Sequence, residues 1–178
     1  MSKKKILMRM ISDREIEVRD ESKIEEFLSN KGLIYQVDKE GKILKDDNGF
    51  PLVDNQRSSG TARGYIGDLR KFKLFFQIRE KPYQNLTEFA NQVRQQNKKN
   101  VLAEDINEQI NFGENEINDY INWLNSPTFN QTTQTIKRSA STVLSFLSYC
   151  RVAVDNDLIN FPRAQGVRRN TKHRWTSE

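Results

Sequence analysis

The sequence predicts a mainly α-helical protein. A bundle of four to five helices is expected over residues 58–162, a small mixed α/β or partly disordered module over 1–57, and a basic tail over 163–178. Three observations predict this. From Ser59 to Cys150, apolar residues recur at three- and four-residue steps, the period of one helix face. Ser59 or Thr61 precedes the first of these runs, and Pro82 and Pro127 lie beyond the ends of the first and fourth. Before Ser58 the pattern changes to short apolar alternation broken by Asp-, Asn- and Gly-containing turns.

The elements follow in order. "KILMRMIS" and "EIEV" alternate like short strands. "DESKIEEFLSNKG" predicts a short helix, with Asp20 or Ser22 as cap, Ile24, Phe27 and Leu28 on one side, and Gly32 as stop. "LIYQVDKEGKIL" reads as a hairpin turning at "DKEG". "KDDNGFPLVDNQRSSG" reads as turns and then a linker. Its Asp residues do not form a calcium loop, because aligning Gly49 with the loop glycine puts Leu44 at the first ligand position. "TARGYIGDLRKFKLFFQIREK" predicts the first long helix, with Tyr65, Leu69, Phe72 and Phe76 inward, Ser59 or Thr61 as cap and Pro82 beyond its end. "NLTEFANQVRQQN" predicts a second around Leu86, Phe89 and Val93, and "AEDINEQIN" a short third. "GENEINDYINWLNSP" predicts a fourth around Ile117, Tyr120, Ile121 and Leu124. The long helix of "TTQTIKRSASTVLSFLSYC" follows, and "NDLINFP" makes a last short turn.

Composition narrows the function classes. The 178 residues carry a net charge of +5, and 35% are hydrophobic, including ten Phe, so a packed core and a polyanionic partner are both compatible. The single cysteine, Cys150, leaves no disulfide framework within the chain and fits a reducing compartment. "MSKKKILMRMIS" has too short an apolar run, interrupted by Arg9, for a signal peptide, and no run reaches the roughly 20 residues of a membrane span. The expectation is a soluble cytoplasmic protein, nucleoid-associated, with no membrane, cofactor, metal or small-molecule ligand. Charge is unevenly placed. Residues 58–100 hold nine basic and three acidic side chains, and residues 126–178 hold eight and three. Residues 101–125 hold six acids and no base. If the two basic blocks fold side by side, they form one positive face of the kind that meets nucleic acid.

The helix from Thr132 to Cys150 sharpens this. At 100° per residue, Ile136, Ala140, Val143, Leu144 and Leu147 share one stripe, and Gln134, Lys137, Arg138, Ser141 and Ser145 lie roughly opposite. The polar stripe has no acid. Gln and Arg suit bidentate contacts to base edges, while Lys, Ser and Thr suit phosphates. Small hydroxyl residues let a duplex come close, and the first N–H groups of the helix, at Thr133, can join them. Arg63, Arg70, Lys71 and Lys73 of the first long helix are the expected companions. Arg168, Arg169, Lys172 and Arg174 of the tail are expected to track the backbone.

Four segments, "TARGYIGDLRKFKLFF", "ENEINDYINWLNS", "TTQTIKRSASTVLSFLSYC" and "NDLINFPRAQGVRR", stand in an order and spacing that resembles the SAM-like core-binding domain of tyrosine recombinases, the phage integrase family. The likeness spans about Ser58 to Arg174, with "INFP" where the family has an Asn-Pro-like pair, and it leaves residues 1–57 uncovered. It implies a helical bundle that clamps one side of duplex DNA at a recombination site. The implied partners are double-stranded DNA and other recombinase subunits assembled on it. The family's chemistry needs two Arg, a Lys, a His-x-x-Arg-type cluster and a nucleophilic Tyr. Here His173 stands in "KHRW" without that spacing, and Tyr35, Tyr65, Tyr83, Tyr120 and Tyr149 have no such constellation. Tyr65, Tyr120 and Tyr149 read as core or rim aromatics, and Glu114 and Glu116 as a solvated face. The expected function is DNA binding in site-specific recombination and integration, with no strand cleavage by this chain alone. Two rivals are a freestanding accessory DNA-binding protein and a helical protein-interaction module.

Overall fold

The computed structural model describes residues 22–163 apart from Asn48 and Asn130. Among them, five α-helices carry the fold: α1 (Ser22–Asn30), α2 (Gly60–Ile78), α3 (Leu86–Leu102), α4 (Phe112–Leu124) and α5 (Thr133–Tyr149). Single 3-10 turns, Ile106–Glu108 and Asn156–Leu158, follow α3 and α5. The mainly helical expectation holds. No helix among the described residues is long and apolar enough to cross a membrane. The strand-like "KILMRMIS" and "EIEV" lie outside the described residues.

Caps set the helix starts. Ser59 accepts the Ala62 N–H at the head of α2, Asn85 accepts that of Glu88 at α3, and Thr132 accepts that of Thr135 at α5. Three helices end in the same two-bond closure, with the left-handed position following the last turn. Gly32 (φ +92°) fills it after α1, where the Leu33 N–H reaches the Leu28 carbonyl at 3.0 Å. Glu80 (φ +50°) fills it after α2 and Arg151 (φ +58°) after α5. Glycine would serve these last two positions with about 1 kcal/mol less strain.

Between α1 and α2 the chain makes no continuous strand. Three short segments pair in a closed cycle of antiparallel bridges: Val37 with Ile43, Lys45 with Pro51, and Tyr35 with Val53. The expected turn at Asp38–Gly41 is present, with the Asp38 carboxylate accepting the N–H groups of Glu40 and Lys42. Asp46 does the same for Phe50. The segment expected to be a linker is instead ordered packing. Phe50 is buried, and the buried Ser58 hydroxyl both donates to the Ile34 carbonyl and accepts its N–H.

One hydrophobic core crosses the expected division at residues 57 and 58, since Ile24, Phe27, Leu28, Leu33 and Phe50 share it with the later helices. Helices α2 and α5 pack together, and α4 packs on both; α1 lies against α2 and α5, and α3 against α4. Phe72 is the aromatic centre, with ring centroids 4.5 Å from Phe76, 4.7 Å from Tyr120 and 5.2 Å from Phe89. Of the stripe expected on α5, Ile136, Ala140, Val143 and Leu147 are buried, but Leu144 is only half-buried. Tyr120 is core, while Tyr65 and Tyr149 lie at the rim against Phe27.

Glu114 is not on a solvated face: it is buried and accepts the Asp155 N–H at 2.8 Å. Glu116 is half-buried and accepts from Lys81 at 2.9 Å and from the Tyr83 hydroxyl. Lys81 also reaches Asp119 at 2.7 Å. The start of α4 can come this close because Gly113 has no side chain. A Cβ there would stand 2.8 Å from Val93 Cγ1.

Burial pushes the Cys150 thiol up to about 12 from an ordinary 9.0, against the opposing pull of Lys23 and Arg94. The unfolded chain ionises this thiol first as pH rises. The thiol's contribution to stability is therefore whole below about pH 9 and is lost between there and about 12, by about 1.4 kcal/mol per unit. Urea midpoints measured from pH 8 to 10 should fall at the alkaline end, and less so in Cys150→Ala. Equal slopes in the two proteins would contradict this.

Candidate nucleic-acid interface

Helices α2 and α5, one from each basic block, are antiparallel neighbours. Between them runs a groove of about 390 Å³. Its α2 wall is Gly60, Thr61 and Gly64, and its α5 wall is Ser141 and Ser145. The floor is a charge pair that sequence reasoning missed. Asp68, 2% exposed, accepts four hydrogen bonds: Arg138 Nη2 at 3.0 Å, Arg138 Nε at 3.3 Å, Ser139 Oγ at 3.2 Å and Thr142 Oγ1 at 2.8 Å.

This corrects the reading of α5. The helix itself has no acid on its polar face, but α2 supplies one from below. Arg138 is tied side-on to Asp68 while its side chain stays 59% exposed. An arginine has five N–H donors, so Asp68 leaves the Nη1 side of the fork directed away from the pair. Ser139 and Thr142, adjoining the polar stripe, are buried as donors to the same carboxylate. One signal was present in the sequence. Asp68 stands three residues after Tyr65 and four before Phe72, on the apolar stripe of α2. A carboxylate on a buried face needs donors or a counter-charge.

The other expected contacts divide. Gln134 and Lys137 are exposed on α5, and Thr133 and Ser141 are half-buried there. Arg63 is exposed on α2. Lys71 donates to Ser139 Oγ at 3.2 Å, and burial holds its ammonium below the ordinary lysine range, with Asp68 opposing and Arg138 adding to that shift. Arg70 and Lys73 have partners within the fold. Arg70 lies 3.4 Å from the Asp46 carboxylate, and both cations sit over the Phe50 ring, at 5.8 and 5.4 Å. They brace the bridged module, because positions three residues apart on α2 share one face and meet Asp46 and Phe50 together. Arg168, Arg169, Lys172 and Arg174 lie outside the described residues.

Two glycines of α2 have no packing reason. Gly64 and Gly67 are helical, and a Cβ at either would meet nothing within 4 Å. A mid-helix glycine costs roughly 0.5–1 kcal/mol relative to alanine. The chain thus keeps a shallow, open wall at Gly64 beside Arg138. Compared with known proteins, the chain matches no family model, no curated protein and no solved structure.

Proposed function

We propose that this chain binds duplex DNA through the α2–α5 face, as the core-binding part of a tyrosine-recombinase-type integrase. Strand cleavage and joining belong to a separate catalytic domain. One observation carries the reading: Arg138, exposed like Gln134 and Lys137 just before it on α5, lines a groove walled by glycines and hydroxyls. Phosphates need cations and donors at close range, and small side chains permit that range. Gln134 and the free side of the Arg138 fork suit base edges, while Lys137 suits phosphate.

The test combines salt and shape. Wild-type affinity for duplex should fall steeply as salt rises, because bound cations release condensed counterions. Gly64→Ala should stabilise the fold by about 0.5–1 kcal/mol, since Ala is the better helix former. The same change should weaken duplex binding by filling the groove. An affinity indifferent to salt, or a Gly64→Ala variant that binds as well as wild type, would remove the reading.

The protein-interaction reading has one observation of its own. Leu102, at the end of α3, and Ile106 and Ile110 in the acidic segment after it are 81%, 74% and 53% exposed. Exposed aliphatic clusters of this kind suit protein contacts. That surface is separate from the α2–α5 groove and is compatible with DNA binding there.

A further inference from the structure

The α2–α5 groove does not stop at Ser145. A larger groove of about 820 Å³ shares that residue and continues past the end of α5, lined by Ser148, Tyr149 and Arg151. One side of the helix thus presents Arg138, Ser141, Ser145 and Ser148, and Arg151 stands beyond them. Lys23 also borders the groove, but it is held by Glu26 at 2.9 Å. Glu26 also accepts from the Tyr149 hydroxyl at 3.2 Å, so it is already engaged by two donors. Arg151 is exposed and has no carboxylate partner among the described residues. It occupies a left-handed position (φ +58°) that the fold itself would fill better with glycine.

We infer that Arg151 is a phosphate-binding residue that closes the far end of the DNA interface. The inference rests on the DNA-binding reading and extends it. Thirteen residues separate Arg138 from Arg151, a span of about 20 Å at the rise of an α-helix. A major groove is about 12 Å wide. With Arg138 directed into such a groove, a span longer than the groove is wide carries Arg151 past its edge, over the flanking phosphate backbone. The serines between them leave the backbone close enough for hydroxyl contacts to sugar and phosphate. Arg151 therefore adds affinity without sequence preference.

The test uses the full chain with a mixed-sequence duplex, and three proteins: wild type, Arg151→Gly and Arg151→Lys. Glycine relieves the left-handed strain, so Arg151→Gly should melt no lower than wild type and a binding loss cannot come from unfolding. The expected result is weaker binding to every duplex and a salt slope smaller by about one phosphate contact. Arg151→Lys should restore most of the slope. If wild type binds duplex and Arg151→Gly keeps the full slope, the inference falls while the DNA-binding reading stands. If wild type binds no duplex, both fall.

Discussion

An Arg138→Ala variant is expected to lose about 3 kcal/mol of stability with no DNA present. Removing one partner of a buried ion pair leaves the other charge uncompensated, typically at 3–5 kcal/mol. Asp68 is that partner, at 2% exposure. Two effects place the loss at the low end. Ser139 and Thr142 still donate to the carboxylate, and Lys71 stands beside Ser139. The Arg138 side chain is also 59% exposed, so solvent already screens part of the pair. Urea unfolding of wild type, Arg138→Ala, Asp68→Asn and the double variant would measure the coupling, which should be 0.5–3 kcal/mol for groups in one network. Additive losses would mean that the two side chains do not act together. DNA affinity of Arg138→Ala must then be read at a temperature where the variant is folded, because a binding loss alone would not separate contact from stability.

Phe72→Ala should be still more damaging, at about 3–5 kcal/mol. Its ring is fully buried and touches the rings of Phe76, Tyr120 and Phe89, which come from α2, α4 and α3. Deleting it opens a cavity where three helices meet, and aromatic neighbours cannot collapse into it without leaving their own rotamers. For a chain of this size the melting temperature should drop by about 10 °C or more. Leu144→Ala is the internal comparison. Leu144 is only half-buried, so less apolar area is lost and the drop should be smaller. Equal melting temperatures for the two variants would place the core elsewhere.

The sequence was sufficient for the helices and most of the core. Period 3.6 fixes which side chains share a face, and the spacing of Leu69, Phe72 and Phe76 needed nothing else to be read as buried. The cap at Ser59 and the stop at Gly32 were legible for the same reason, since each acts on backbone groups within a few residues. Of the candidate interface, Gln134 and Lys137 were found by the same angular reading.

What only the tertiary structure decided is which charges are spent inside the protein. Helical angles place Arg138 on the polar side of α5, but they say nothing of the neighbouring helix, and Asp68 lies seventy residues earlier. Arg70 and Lys73 likewise look free until the bridged module brings Asp46 and Phe50 beneath them. Glu114 reads as solvated until the chain after α5 returns to donate the Asp155 N–H. In each case periodicity is a property of one segment, while a buried charge is satisfied by whichever distant group the packing delivers.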